Sequence, residues 1–314
     1  MSRVAASSTT PPRSVWMDGS IVPWSQACLH VDTQCVQGGL NAYEVVSGFW
    51  SDDTSNLYLF RLNEHLERLW NSTKVMRLYP PFSKEELRRA MQELIVANGF
   101  REDVLVRITC YLGAGPLFSH EPEEIDTGLF MVAKPAVPNP KAAAGLAVCT
   151  SIWNRLPDVA ASPRVKSGAN YQNVRLAQIQ AHVDAYDDAV ILNQDGKVCE
   201  LPLANIFMVR NGAVATPNVT SGILEGITRR TVLDISPEVG IPIVEREIDR
   251  SELYMASEAF VSRTSGGIWP ILSIDRYPVG DGSVGPITKQ FRKQLDALRR
   301  HDGGHPEWLT PIYS

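Results

Sequence analysis

Lys166 is the residue whose neighbours best suit covalent chemistry. It lies in the run Ser162-Pro-Arg-Val-Lys166-Ser-Gly-Ala-Asn170-Tyr171. The small residues after it let a flat ring approach the backbone, and Tyr171 can hydrogen-bond an oxygen on that ring. A free lysine has a pKa of about 10.4, which must fall before its amine readily attacks a carbonyl carbon. On this segment alone, an exposed lysine before a helix is the favoured interpretation, because lysine is usually exposed.

Glu200 is the second candidate, and it follows an Asp195-Gly196 turn in a segment interrupted by Pro202. A carboxylate at the end of a strand can hold a proton on a heterocyclic nitrogen. A solvated loop glutamate is the alternative, and it is favoured when the segment is taken by itself.

A phosphate site is the third candidate. Gly226 frees the backbone just before an expected helix, so the amides of Ile227 and Thr228 would point outward at the positive helix end. A simple helix start capped by threonine is the alternative. A hydroxyl-rich turn at residues 262–267 could complete an anion cradle, and Arg68 could add charge.

The first half of the chain predicts two helices and a strand before a proline-rich segment. One helix opens after Asn63, and a second starts at Ser83 with Glu86 completing a capping box and ends before Gly99. An apolar strand begins at Val104. Residues 134–141 contain three prolines, which fix φ and remove donors, so this segment predicts an interdomain linker.

The second half interleaves strands, Asp-Gly and Asn-Gly hairpin turns, and helices. The expected strands are 189–193, 206–210 and 213–216, and the expected helices are 169–186, 228–239 and 288–300. This mixture of strands, hairpin turns and helices predicts an α+β fold with much antiparallel sheet. The predicted divisions are a disordered lead at 1–16, a small N-terminal α/β domain at 17–134, a linker at 135–142 and a large C-terminal domain at 143–314.

Composition narrows the classes of function. The 314 residues suggest two domains, and the net charge of -5 argues against a general nucleic-acid binder. No apolar stretch approaches the roughly 18 residues of a membrane span, and the N-terminus lacks the apolar core of a secretory signal. Five cysteines without CxxC spacing favour a reducing cytoplasm, and six scattered histidines predict no protein-bound catalytic metal.

Five blocks between Met17 and Thr310 together resemble the class IV (fold type IV) pyridoxal-phosphate aminotransferases, the branched-chain aminotransferase-like family. They occur in the family's order and at its separations. The blocks are residues 61–69, 164–171, 195–207, 222–229 and 275–288. The resemblance implies a D-amino acid aminotransferase-like fold, with a small α/β domain, a larger pseudo-barrel domain and the cofactor in the cleft between them.

The resemblance also implies the roles of residues around the cofactor ring. Lys166 would form the Schiff base with pyridoxal 5'-phosphate and shuttle the proton. Glu200 would pair with the pyridine nitrogen, which favours the carbanionic intermediate because the cofactor is the electron sink. Tyr171 would lie by the phenolic oxygen, and Leu224 would pack on the ring.

The phosphate and the substrate carboxylate have their own expected partners. By the same resemblance, Arg68, Ile227, Thr228 and Thr264 hold the phosphate. Thr264 and Ser265 lie near the substrate carboxylate.

The substrate pocket departs from the branched-chain pattern. Gly38 replaces an aromatic residue, and Tyr43, Val45 and Ser47 stand for a phenylalanine, a glycine and an arginine. Tyr43, Val45 and Ser47 resemble the subgroup selective for (R)-amines. Arg107 instead resembles the branched-chain members and favours an anionic substrate through charge-assisted hydrogen bonds. A salt bridge at a barrel edge is the alternative for Arg107.

The expected function is ping-pong transamination between an amino donor and a 2-oxo acid, with a branched-chain or bulky hydrophobic L-amino acid and 2-oxoglutarate as the leading pair. An (R)-amine:pyruvate transaminase is the alternative. D-amino acid transaminase and aminodeoxychorismate lyase are disfavoured because residues 153–155 and 307–310 look branched-chain-like. A non-catalytic binding protein on this fold is the rival from another class. The resemblance also implies a homodimer or higher homo-oligomer, with no nucleic-acid or membrane partner.

Overall fold

A computed structural model of the chain describes residues 11–116, 119 and 121–313. The described residues form two compact units. The first unit contains the described residues up to Val137 together with those from Pro306 onward. The second unit is Pro138–His305. The boundary after Val137 falls inside the segment 135–142, which the sequence predicts to be a linker. Among the described helices, none is both long and apolar enough to cross a membrane.

The described part of the first unit contains a seven-stranded sheet and three α-helices. Its strands are β1 Ser14–Met17, β2 Ser20–Pro23, β3 Asn41–Ser51, β4 Asn56–Phe60, β5 Val104–Leu112, β6 Thr127–Pro135 and β16 Leu309–Pro311. Its helices are α1 Gln34–Gly38, α2 Leu62–Val75 and α3 Lys84–Asn98. The strand order is β16-β4-β3-β5-β6-β1-β2.

The N-terminal lead is shorter than the sequence predicts. Residues 1–10 lie outside the described part, but Ser14–Met17 form β1, which pairs with β2 and β6. Val15 and Trp16 are buried, and the Trp16 ring meets the edge of Phe82 at a centroid distance of 5.0 Å. The prediction of disorder up to residue 16 is therefore wrong for these residues, because their apolar side chains gain burial in the sheet.

Helices α2 and α3 cover one face of this sheet. Leu66 and Leu69 from α2, with Met91 and Leu94 from α3, join one core with the sheet residues. The predicted capping box is confirmed: the Ser83 side chain accepts from the Glu86 amide, and the Glu86 carboxylate accepts from the Ser83 amide. This box fixes where α3 begins.

The second unit contains a nine-stranded sheet and five α-helices. Its strands are β7 Leu146–Thr150, β8 Asp188–Leu192, β9 Val198–Leu201, β10 Ala204–Arg210, β11 Ala213–Thr216, β12 Ile243–Glu245, β13 Glu258–Arg263, β14 Gly267–Ile274 and β15 Tyr277–Pro278. Its helices are α4 Lys141–Ala144, α5 Tyr171–Val183, α6 Ile227–Ile235, α7 Arg250–Leu253 and α8 Pro286–Arg299.

Six strands of the second unit close on themselves as a barrel. The order β10-β13-β14-β7-β8-β9 is closed by the pairing of β9 with β10. The apolar cluster inside takes Val148, Val190, Ile206, Val261 and Ile271 from different strands. Alternate residues of β10 and β13 face outward, where Phe207 stacks on Phe260 at 4.9 Å. The α+β fold class with a pseudo-barrel is thereby confirmed.

Helix limits in this unit differ from the predicted ones for local reasons. Helix α6 ends at Ile235, short of the predicted Val239, because Pro237 has no amide hydrogen with which to continue the helical hydrogen bonds. Helix α8 begins at Pro286, two residues early, because proline suits the first turn of a helix.

The C-terminal segment lies in the first unit rather than with residues 143–305. Leu309 in β16 pairs with Phe60 in β4, and Ile312 is buried in the core of the first unit. The Arg61 guanidinium lies 4.3 Å from the centre of the Trp308 ring. Such pairing depends on residues far away in the chain, so the tail's own sequence does not indicate it.

Candidate active site

Lys166 lies in the turn before α5 and is half-buried. Its Nζ donates a hydrogen bond to Tyr171 Oη at 2.6 Å. The Asn170 side chain donates to the carbonyls of Ser162 and Val165, at 3.0 and 3.1 Å, and so ties this turn together. The structure therefore brings the predicted amine and phenol together and disfavours a freely exposed lysine.

Glu200 is a buried carboxylate surrounded by donors. It lies on β9 and is 5% exposed. Its Oε2 accepts from the Asn205 side chain at 3.0 Å and from the Leu224 amide at 3.1 Å. Its Oε1 lies 3.2 Å from Arg155 Nη2. The solvated-loop interpretation is therefore wrong, and the donors stabilise an anion at this position.

The segment after Leu224 is packed against the same network. Asn205 also donates to the Leu224 carbonyl at 2.9 Å. A Cβ built on Gly226 would lie 2.0 Å from Asn205 Oδ1, so this position requires a glycine. Close backbone approach, rather than an unusual φ, is the reason for the glycine here.

Helix α6 presents its N-terminus next to this segment. It starts at Ile227, and its N-cap is Gly226, which has no side chain to cap it. The threonine-cap interpretation is therefore wrong, because Thr228 lies inside the first turn and is buried. The first amides of a helix have no partner within it and lie at its positive end, so they suit an anion.

The turn at Thr264 and Ser265 joins β13 to β14, and α6 packs against β13. Gly266 and Gly267 follow with φ of 106° and 78°, a region that favours glycine. Next to this turn, the buried Ser262 hydroxyl has no hydrogen-bond partner among the described residues. Ser262 lies opposite Asn205 in the register of β13 and β10, so both side chains point to the same face of the sheet.

Arg68 is held in a buried ionic cluster of the first unit. Its Nε and Nη2 donate to Glu44 at 2.7 and 2.8 Å, and His65 Nδ1 lies 2.8 Å from Glu44. Burial opposes ionisation of Glu44, but the charge of Arg68 and hydrogen bonds from His65 and Arg68 lower its pKa to about 2. Glu44 therefore fixes the guanidinium of Arg68.

The predicted pocket residues of the first unit lie on neighbouring strands. Val45 on β3 pairs with Arg107 on β5. The Arg107 guanidinium stacks 3.8 Å from the centre of the Tyr43 ring, and its Nε donates to Thr109 at 3.3 Å. Gly38 ends α1 before β3 begins. These contacts bring Tyr43, Val45 and Arg107 together.

The neighbouring sequence gives little indication that Glu44 and Arg155 pair with the predicted site residues Arg68 and Glu200. Glu44 sits between apolar residues of β3, and Arg155 lies in a loop before the Lys166 turn. A buried charged residue is unusual unless it is paired, but its partner is distant in the chain. Within the described residues, no group of three or more His, Cys, Asp or Glu side chains is arranged to hold a metal ion.

The sequence and the fold are similar to those of known proteins along nearly the whole chain. The model of the class IV amino-transferase family matches residues 43–274. A probable branched-chain-amino-acid aminotransferase of Aquifex aeolicus is 32% identical over 303 residues, covering 95% of this chain and 96% of the relative. The chain therefore belongs to the class IV aminotransferases, and it is an enzyme of that class.

Two solved structures with the same fold were determined with pyridoxal phosphate or with a phosphopyridoxyl compound bound. The holo, PLP-form branched-chain aminotransferase of Thermobaculum terrenum has a TM-score of 0.91 and 36% identity, with coverage of 97% of this chain and 99% of that one. The branched-chain aminotransferase of T.th., complexed with N-(5'-phosphopyridoxyl)-L-glutamate, has a TM-score of 0.90 and 30% identity, with coverage of 96% and 99%.

Proposed function

We propose that the protein is a pyridoxal-phosphate transaminase that exchanges an amino group between a branched-chain or bulky hydrophobic L-amino acid and 2-oxoglutarate. The observation that carries the proposal is the combination, in one unit, of the Lys166–Tyr171 pair with the buried Glu200 network. An amine that can bond an aldehyde and an anion that can face a ring nitrogen are what this cofactor requires.

The donor set of the second unit fits pyridoxal 5'-phosphate. Glu200 offers an ionised acceptor, and the open amides of Ile227 and Thr228 suit a phosphate. The unpartnered Ser262 hydroxyl lies on the same sheet face as Asn205, which is consistent with a ligand there. Gly226 keeps the backbone close to the Glu200 network.

The bound cofactor supplies an electron sink for negative charge on the substrate α-carbon. Lys166 would anchor the cofactor and then move the proton at that carbon, and Tyr171 would hold the Nζ atom in place. Glu200 would keep a proton on the ring nitrogen. Leu224 would pack on the ring face.

The phosphate and the substrate carboxylate are held by other groups. Ile227, Thr228 and Thr264 would hold the phosphate, and Arg68, whose guanidinium is fixed by Glu44, would add a positive charge. Ser265, with Thr264, would lie near the substrate carboxylate.

The substrate class is supported by Arg107 and by the relatives' names. An arginine lying over Tyr43 supplies a cation for the second carboxylate of 2-oxoglutarate. The relatives are named branched-chain aminotransferases, and one was solved with a phosphopyridoxyl adduct of L-glutamate. The alternative is an (R)-amine:pyruvate transaminase, which is favoured by Tyr43, Val45 and Ser47 on β3.

The discriminating experiment is a panel of substrates. L-leucine, a D-amino acid and both enantiomers of a 1-arylethylamine are each assayed with 2-oxoglutarate and with pyruvate. We expect the fastest turnover with L-leucine and 2-oxoglutarate. Preference for the (R)-amine with pyruvate would replace this substrate assignment by the alternative. No amino transfer with any pair would contradict the transaminase proposal itself.

We further propose a homodimer in which each pocket is completed by the partner subunit, and a cytoplasmic location. The five free cysteines support a reducing compartment.

A further inference from the structure

Arg155 is a buried arginine in direct contact with Glu200. Its side chain is 8% exposed, and its Nη2 lies 3.2 Å from Glu200 Oε1. Its Nε donates to the Gly222 carbonyl at 3.2 Å, and its backbone amide donates to the Leu192 carbonyl at 2.8 Å. Hydrogen bonds therefore fix both the backbone of Arg155 and the Nε atom of its guanidinium.

Resting on the role proposed above for Glu200, we propose that Arg155 is a positioning residue that keeps Glu200 ionised and thereby preserves cofactor binding in acidic solution. Arg155 acts through Glu200 and does not itself touch the cofactor.

Burial and charge act on Glu200 in opposite directions. A carboxylate that has lost its water favours the neutral form, whereas an adjacent cation favours the ionised form. The donors on Oε2, Asn205 and the Leu224 amide, are neutral, while the contact on Oε1 is with a full positive charge. Removing that charge would leave a buried carboxylate that protonates more easily.

Cys199, Glu225 and Ile191, which lie near Glu200 along the chain or in the sheet, do not supply this cation. Burial raises the pKa of the neighbouring Cys199 thiol, and the charge of Glu200 adds to this effect, so the thiol is neutral. Glu225, the residue after Leu224, pairs with Arg164 at 3.2 Å. The residue opposite Glu200 on β8 is the apolar Ile191. Lys166 is the residue proposed to bind the cofactor covalently.

A small cavity is lined in part by Arg155. It has a volume of about 180 Å³, and its lining includes Arg155, Pro157, Asp195 and Gly222. Glu200 is not among the described residues that line it. A guanidinium ion can therefore reach the space left by a truncated Arg155 side chain.

The test is the pH dependence of cofactor affinity. The full chain, freed of cofactor by dialysis, is titrated with pyridoxal 5'-phosphate across the acidic range as wild type, Arg155→Met, Arg155→Lys and Glu200→Gln. We expect the pH at which binding weakens to rise by about one unit in Arg155→Met, because an opposite charge shifts a carboxyl pKa by roughly one unit or more. Arg155→Lys keeps the charge and should stay near the wild-type profile.

A matched control separates charge from position. Arg210→Met also removes an arginine of the second unit, one whose partner is Glu252 and whose side chain is 37% exposed. Its profile should match that of the wild type. Guanidinium ion, but not neutral urea at the same low concentration, should move the profile of Arg155→Ala back toward that of the wild type.

Two results would contradict the proposed roles, one that of Arg155 and the other that of Glu200. In the first, Arg155→Met weakens cofactor binding equally at every pH or leaves it unchanged, while the affinity of Glu200→Gln no longer falls at acidic pH. That result overturns the proposal for Arg155 and leaves the role of Glu200 standing. If Glu200→Gln binds as the wild type does at every pH, the proposed role of Glu200 itself is overturned.

Discussion

At the scale of single residues, the Lys166–Tyr171 hydrogen bond makes a specific prediction. Tyr171→Phe removes the oxygen 2.6 Å from Nζ and leaves the ring in place. A hydrogen bond contributes about 1 kcal/mol net, so we expect kcat to fall roughly fivefold. Steady-state kinetics measures this value. A kcat equal to that of the wild type would show that the phenol does not position the amine.

The buried Glu44 cluster predicts a loss of stability. Glu44→Gln leaves the charge of Arg68 without its counter-ion, and breaking a buried pair costs about 3 kcal/mol or more. Chemical denaturation at neutral pH measures the difference in the free energy of unfolding. Glu67→Gln is the control, because Glu67 is 61% exposed and its pair with Lys84 lies on the surface. That variant should change stability by less than about 0.5 kcal/mol.

The same cluster also sets a pH dependence. The pKa of Glu44 is lowered from 4.5 to about 2 in the folded protein, so its stabilising contribution is present above 4.5. That contribution is lost as the pH falls from 4.5 toward 2. The stabilities of the wild type and Glu44→Gln should therefore converge over this interval. A constant difference down to pH 2 would contradict the assignment.

Residue types and family resemblance were sufficient to single out Lys166, Tyr171 and Glu200 from the sequence. They did not reveal Arg155 or Glu44, whose pairing is created by the fold. A lone charged residue in a sequence is ordinarily exposed, so nothing local predicts that these two are buried.

At the scale of elements, the start of α6 depends on the absence of a side chain at position 226. Gly226→Ala places a carbon 2.0 Å from Asn205 Oδ1 and must displace the donor that holds Glu200. We expect cofactor affinity to fall by about tenfold or more, as the loss of roughly one such hydrogen bond implies. Equilibrium dialysis against pyridoxal 5'-phosphate measures this affinity.

The double variant provides the control for this mechanism. In an Asn205→Ala background the clash is gone, so adding Gly226→Ala should cost little further affinity. Fully additive losses would mean that the glycine acts through something other than Asn205.

Helices and hairpins with strong local signals were predicted from the sequence. The Ser83 capping box is one example, because its two partners are three residues apart. Local patterns did not indicate closure of the barrel, because closure depends on which strands pair across long distances. The parallel pairs of β7 with β8 and β14 have no turn signal between them.

At the scale of the whole molecule, the chain returns to the first unit at its C-terminus. Deleting residues 306–314 removes β16 and the buried Ile312. We expect destabilisation of the first unit by about 2 kcal/mol or more, since burying one such side chain contributes roughly 1.5–3 kcal/mol. Denaturation followed by tryptophan fluorescence measures this. Unchanged stability would contradict the assignment of the tail to that core.

The proposed homodimer predicts the mass of the particle in solution. Sedimentation should give a particle of two 34.7-kDa chains or a multiple of it. A monomer that keeps full activity at the same concentration would contradict the proposal that each pocket needs its partner.

The proposed chemistry depends on a covalent bond between Lys166 and pyridoxal 5'-phosphate. Borohydride reduction of the cofactor-loaded protein, followed by peptide mass spectrometry, tests it most directly among the eight lysines of the chain. We expect a phosphopyridoxyl group on the peptide containing Lys166, and none in Lys166→Ala. Labelling of another lysine, or a loaded protein with no label at all, would contradict it.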